Sequence, residues 1–484
     1  MRSMSDSGVS VVRTRFAPSP TGRMHLGNAR TALFNWLFAR RHDGRFVLRS
    51  EDTDAARSRA GFLDELLDDL DWLGLDRDEG PGTGGENGPY RQTERTDIYA
   101  RRFAQLERAG AAFECYCTPE ELAASRRAQA AEGRPPRYAG TCRELSAADR
   151  EHRMAAGRLS ALRFRVPTGR RIVFEDLVRG PQQFASDDIG DFVIRRADGT
   201  PAFFFGNALD DALMRITHVL RGEDHLANTP RQLLLLEALG LAAPRYGHLA
   251  LLTDSGGAPL SKRRGSPSLR MLAEAGFLPA AVANYLARLG HAYATDDCLD
   301  LEALAHDFDV ARLGRAPARY DRRQLEHWQR LAVTCLEHSE PAALVRWLGE
   351  ESLEQVPEDR REHFAALVAP NVLFPNEARD WGAALFGESL ELDEDARQIV
   401  ESAGPEFFNS ALDALSRHGP QAVIHDVSVA TGARGRRLFL PLRLAVTGRS
   451  DGPELERLIA MLPPEILRRR FSRWADATPN AEHS

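Results

Sequence analysis

Apolar and polar positions follow two rhythms at the start of this chain. Val11–Phe16 interleaves Val, Arg, Thr and Phe in the alternation of a strand, then meets the turn residues Ala17-Pro18-Ser19-Pro20-Thr21-Gly22. From Leu26 to Arg41 the period lengthens. Ala29, Ala32, Leu33, Trp36 and Leu37 fall at i, i+3, i+4, i+7 and i+8, which predicts a helix. Arg45–Arg49 (RFVLR) reads as a second strand. Strand, loop, helix, strand opens a βαβ unit, so a parallel α/β sheet is expected.

Further along, residues 76–90 are rich in Gly, Pro and acid and are expected to form a surface loop. Their glycines do not match a phosphate-binding spacing. From Phe113 to about Leu209 the texture becomes Arg-rich, with short β-like runs at 161–166, 171–174 and 191–196. This predicts a small inserted α+β module. Ile216–Arg221 resumes the first texture as a strand, followed by a charged turn and a leucine helix to Leu239. After Gly265 nearly everything reads helical, and from Leu331 onward amphipathic segments are joined by Pro and Gly.

Composition narrows the class. A chain of 484 residues, 43% hydrophobic and 27% charged, is expected to be soluble and to hold about two to four domains. The polar start shows no leader-like pattern and no apolar run is long enough to span a bilayer, so no membrane association and a cytoplasmic location are expected. The net charge of −7 means that any nucleic-acid contact needs local basic patches. Candidates are Arg434, Arg436, Arg437 and Arg443, then Arg468, Arg469, Arg470 and Arg473. Five cysteines do not make a disulfide framework, but Cys115, Cys117 and Cys142 lie close enough in sequence to suggest a metal site.

Three stretches carry candidate chemistry. The first is the strand-to-helix turn Thr21–Asn28. Such a turn aims free backbone N–H groups at an anion, His25 and Asn28 add neutral donors, and Gly27 lets a flat ring approach. A capping or core role for His25 is the alternative. The second is Leu260-Ser261-Lys262-Arg263-Arg264-Gly265. Of 63 Lys plus Arg, Lys262 is the one lysine, which suggests that this loop needs a compact ammonium rather than a guanidinium. A solvated basic loop is the alternative. The third is Arg221-Gly222-Glu223-Asp224-His225 after a strand, where Asp224 could instead cap a helix. Arg15 inside the first strand and Glu51 just after the second could match the carboxylate and ammonium of an amino acid or form a structural pair.

Together these motifs resemble the bacterial glutamyl-tRNA synthetase family of class I aminoacyl-tRNA synthetases. Arg15 to Gly22 followed by His25-Leu26-Gly27-Asn28 is similar to its HIGH region, and Leu260-Ser261-Lys262-Arg263 to its KMSKS loop. Ser50-Glu51-Asp52-Thr53-Asp54, Gly88 to Arg95, Ile216 to His225 and Leu438 to Arg443 also resemble family motifs, in family order, across about Val11 to Phe471. The resemblance implies ATP-dependent ligation of L-glutamate to the 3′ end of tRNA(Glu) through glutamyl-adenylate, with ATP and Mg²⁺. It implies His25, Asn28 and Lys262 as catalytic residues. ATP would be bound by His25, Gly27, Asn28, Ser261 and Lys262, and glutamate by Arg15, Ser19, Glu51, Phe203 and Arg221. It further implies a Rossmann-type α/β catalytic domain (11–112 and 209–265) with an inserted α+β acceptor-end module (113–208). A stem-contact region (266–330) and an all-α anticodon-binding domain (331–484) would follow, in a monomer.

Two residues depart from the family pattern. Pro259 replaces the first KMSKS lysine, and Phe203 replaces a substrate-contacting tyrosine, removing about one hydrogen bond or about 1 kcal/mol. Cys115, Cys117, Tyr138 and Cys142 resemble a structural Zn²⁺ site of some members, with Glu144 as the other candidate fourth ligand. Three other readings stand beside this one: a member charging tRNA(Gln) with glutamate, an enzyme loading glutamate onto a modified tRNA base, and a catalytically weak RNA-binding paralogue. The helical tail counts against the second.

Overall fold

The structure is a computed structural model that describes residues 11–53, 60–254, 256–258, 260, 267–339 and 341–475. Pro259 and the loop residues Ser261 to Gly265 lie outside them. The chain divides into two compact units, residues up to 272 with 283–322, and residues 273–282 with those from 323 on.

The first unit opens as the rhythm predicts. β1 (Arg13–Phe16) runs into α1 (Leu26–Arg41) and then β2 (Arg45–Leu48), which pairs with β1 in parallel. The helix is buried along most of its length, including its polar Asn35. The Asn35 amide nitrogen donates to Thr31 O at 2.8 Å and to Leu220 O at 2.9 Å, so it ties the helix to a distant strand. Two helices follow, α2 (Ala60–Trp72) and α3 (Thr96–Arg108).

Between them residues 76–90 form the expected surface loop, exposed over 82–86 and 88–89, but both of its ends are anchored. Leu48 N donates to Glu79 O at 2.9 Å and Ser50 N to Tyr90 O at 2.9 Å, so this segment continues the β2 edge. Glu79 is buried because Arg13 clasps it through both guanidinium arms, at 2.7 and 2.9 Å. An acid that looked solvated in the sequence is thus a tether.

The inserted module contains β3 (Ala112–Cys115), α4 (Pro119–Ala131), α5 (Ala147–Ala155), β4 (Ala161–Phe164), β5 (Arg171–Asp176), β6 (Gly180–Ala185), α6 (Ser186–Ile189) and β7 (Phe192–Arg195). Its sheet has the order β3-β4-β7, antiparallel, while β5 and β6 form a separate hairpin. β6 reads GPQQFA, a poor strand by composition; its six-residue pairing with β5 overrides that propensity.

The chain then returns through α7 (Phe203–Leu213) to β8 (His218–Gly222), α8 (Thr229–Leu239) and β9 (Arg245–Leu249), a second parallel βαβ unit. β8 lies beside β1: Thr217 N donates to Arg13 O at 2.9 Å, and Arg13 N to Thr217 Oγ1 at 2.8 Å. The result is a Rossmann-type α/β domain whose strands β1 and β8 end at one edge.

The second unit is helical, and among its described residues there is no strand. Its core gathers Leu344, Phe364, Trp381, Phe408, Leu442, Leu458 and Phe471. The expectation that Arg470 faces RNA is corrected here. It is buried, donating to Val446 O and to Leu385 O, carbonyls near the C-terminal ends of two helices. Arg469 and Arg473 donate to Gly387 O and Leu390 O, at 2.9 and 2.8 Å. Arg434, Arg436 and Arg437 are exposed. Among the described residues no helix is long and apolar enough to cross a membrane.

Candidate active site

A cavity of about 470 Å³ opens where β1, β8 and β9 end and α1 begins. This is the edge of a parallel sheet where ligands of α/β folds collect. His25 is the N-cap of α1, and its Nδ1 accepts from Asn28 N at 3.3 Å. The ring lies over Gly27, where a Cβ would come within 3.1 Å of the imidazole. Glycine therefore keeps the ring seated beside the helix N-terminus. His25, Gly27 and Asn28 all line the cavity.

The opposite wall is ionic. Arg15 is buried on β1 and donates through Nε to Asp211 Oδ1 at 3.1 Å. Arg49, just past β2, donates to Asp211 at 2.7 Å and to Glu51 at 3.0 Å. Asn207 of α7 also donates to Glu51, at 2.7 Å. Its own carbonyl accepts from Gln232, whose Oε1 accepts from Arg221 Nη2, each at 2.8 Å. One hydrogen-bonded chain thus runs from Asp211 through Glu51 to Arg221. Burial pulls the Arg221 guanidinium down to about 10, which leaves it charged at neutral pH. Burial pushes the Glu51 carboxyl above the usual range against the pull of Arg49. In Asp211 burial also pushes up, but Arg15 and Arg49 prevail and hold it below its ordinary value. Arg15, Glu51 and Arg221 all reach the cavity.

Phe203 lines the cavity with its ring 5.3 Å from the His225 ring, tilted by 30°. Ser19 is exposed and outside the lining; its carbonyl accepts from Thr21 N at 2.8 Å. Leu260 reaches the wall, while Ser261 and Lys262 lie outside the described residues. Arg49, Asn207, Asp211 and His248 escaped the sequence reading. The signal available was the run Asn207-Ala208-Leu209-Asp210-Asp211 in an otherwise apolar helix: polar residues on a buried element need partners.

In the inserted module the sulfurs of Cys115, Cys117 and Cys142 lie within 4.8 Å of one another. The Tyr138 hydroxyl is 3.4 Å from Cys115 Sγ and 3.8 Å from Cys117 Sγ. Glu144 is exposed and paired with Arg165 at 2.5 Å. Burial works against the Cys115 thiolate, but Tyr138 and Arg163 more than offset it, so the thiol sits below its ordinary value. Three converging soft sulfurs with one oxygen are a donor set that fits tetrahedral zinc.

Residues 11–327 match the family model "tRNA synthetases class I (E and Q), catalytic domain", and residues 335–475 match "Anticodon binding domain". The chain is 54% identical to glutamate–tRNA ligase 2 of Nitrosococcus oceani, over 96% of this chain and 99% of that one. The chain belongs to the glutamate–tRNA ligase family of class I tRNA synthetases. A second relative, glutamate–tRNA ligase 2 of Alkalilimnicola ehrlichii, is 55% identical over 96% of this chain and 97% of its own. The crystal structure of a glutamate tRNA ligase from Elizabethkingia meningosepticum, in complex with its amino acid, superposes with a TM-score of 0.87 at 30% identity, covering 96% and 99%. Membership of class I implies that this synthetase uses ATP and Mg²⁺.

Proposed function

We propose that this synthetase ligates L-glutamate to the 3′ end of tRNA(Glu), with ATP, by way of glutamyl-adenylate. The observation that carries the reading is one cavity whose wall includes the cations Arg15, Arg30 and Arg221 and the anions Glu51 and Asp224, beside the N-terminus of α1. Its charges complement those of an α-amino acid with an acidic side chain. In this reading Arg221 and Arg15 hold the carboxylates of glutamate and Glu51 its ammonium. Ser19, one residue past the lining residue Pro18, adds a contact, and Phe203 supplies a wall without a hydroxyl.

His25, Gly27 and Asn28 hold ATP at the start of α1, and Ser261 and Lys262 bind its phosphates. Mg²⁺ bound with the nucleotide supplies charge neutralisation at the phosphates. Glutamate's α-carboxylate then attacks the α-phosphate and pyrophosphate leaves; the 2′-hydroxyl of the tRNA's terminal ribose then attacks the glutamyl carbonyl and AMP leaves. No side chain becomes a covalent nucleophile; positioning and charge stabilisation lower the barrier. Residues 113–208 receive the acceptor end, 266–330 the stem and 331–484 the anticodon. Cys115, Cys117, Cys142 and Tyr138 hold a structural Zn²⁺. The enzyme works as a cytoplasmic monomer.

The test is aminoacylation with purified tRNA(Glu) and tRNA(Gln). Glutamate is expected on tRNA(Glu). Charging of neither, or of tRNA(Gln) alone, overturns the reading.

A further inference from the structure

The rear of Arg221 is built from three elements. Its Nε donates to His248 Nε2 at 3.2 Å, and His248 Nδ1 meets Asp176 Oδ2 at 2.5 Å. Arginine only donates and a carboxylate only accepts. The imidazole between them therefore carries its proton on Nδ1 and offers a lone pair at Nε2. Thr229 agrees with that assignment: its hydroxyl accepts from Arg221 Nη2 at 2.8 Å and donates to His248 Nε2 at 3.1 Å.

Asp176 is itself fixed. Its Oδ1 accepts from the backbone N–H of Val178, Arg179 and His248, at 3.0, 2.7 and 3.2 Å. Asp176, His248 and Arg221 are all buried. Asp176 ends β5, so this carboxylate comes from the hairpin of the inserted module, whereas His248 stands on β9. Leu177 N donates to Tyr246 O at 2.8 Å, docking the hairpin against β9, and the Tyr246 ring lies 5.0 Å from the guanidinium.

We infer that Asp176 and His248 are positioning residues that act through Arg221. The carboxylate sets the imidazole tautomer, and the imidazole sets the guanidinium at the cavity wall in the orientation that receives the amino acid's carboxylate. This rests on the proposal that Arg221 holds glutamate. The inserted module, through β5, then contributes to glutamate binding without touching glutamate.

Steady-state aminoacylation with the full chain, tRNA(Glu) and ATP tests it. In Asp176→Asn the three backbone donors retain the amide oxygen. The amide nitrogen then faces His248 Nδ1 and reverses the tautomer, setting an N–H against Arg221 Nε. This variant and His248→Phe are expected to raise KM for glutamate about 10-fold, the scale of losing one charge-assisted hydrogen bond. KM for ATP and kcat should stay within about 3-fold of wild type, because only amino-acid binding is affected. His248→Gln, whose amide can accept from Arg221 and donate to Asp176, should recover most of the loss. Equal damage to both KM values and kcat, or no recovery in His248→Gln, overturns the inference. Arg221→Gln separates the two levels. If it raises KM for glutamate while Asp176→Asn does not, the positioning inference fails alone. If Arg221→Gln leaves that KM unchanged, the glutamate-site reading fails first. Should His248→Phe not fold, the near-isosteric Asp176→Asn decides.

Discussion

Arg49 donates to Asp211 at 2.7 Å with both side chains wholly out of solvent. The same carboxylate oxygen accepts from Arg15, so one aspartate neutralises two buried guanidinium groups while Arg49 also reaches Glu51. Buried pairs gain little over an apolar core, but breaking one strands a charge. Asp211→Ala is expected to destabilise the first unit by about 3–5 kcal/mol. Urea denaturation followed by circular dichroism measures this, and an unchanged midpoint contradicts it.

Glu79 gives the fold a pH dependence. The hydrogen bonds from Arg13, with Tyr90 adding a third donor, lower its carboxyl from 4.5 to about 2 against the effect of burial. A depressed carboxyl stabilises the fold above its unfolded value and loses that contribution as pH falls to its folded value. The stability gap between wild type and Glu79→Gln should therefore be full above pH 4.5 and shrink towards pH 2. A gap constant across that window would show that the charge on Glu79 is not its cause.

Phe203 meets the cavity with a ring and no donor. Phe203→Tyr is expected to lower KM for glutamate about 5-fold, the equivalent of one hydrogen bond of about 1 kcal/mol. Pyrophosphate exchange at varied glutamate measures it. A raised KM would mean that the position cannot accept a hydroxyl.

Lys262 is the one lysine of the chain. An ammonium is compact where a guanidinium is a wide planar fork, so Lys262→Arg should slow glutamate activation at least ~10-fold, or ~1.4 kcal/mol. Its circular dichroism should match wild type. Wild-type rates would show that only the charge is needed.

The cysteine cluster predicts about one zinc per chain in untagged protein, and near-complete loss in Cys142→Ser. Elemental analysis settles this: less than ~0.2 zinc per wild-type chain ends the idea.

Much of the fold is legible in the sequence. The helix expected over Leu26–Arg41 spans those residues, because a long 3.6-residue period leaves no other way to bury its apolar face. The first two strands also lie within their expected segments. β6 was not legible, since its residues disfavour a strand and only β5 beside it supplies the ladder. Arg470 was misread for a related reason. In one dimension a run of arginines looks solvated, and only the helix ends that surround this one turn it into a buried clasp.

Family membership and the order of the motifs are carried by local strings of residues, so composition and spacing suffice to read them. Tertiary structure alone decided which charges meet. Arg49 and Glu51, Asp211, and Arg221 come from three separate segments and join one buried chain of hydrogen bonds; Asp176 reaches Arg221 only because a hairpin of the inserted module docks on β9. Partner choice among buried ions depends on distance and desolvation, and both are properties of the folded chain.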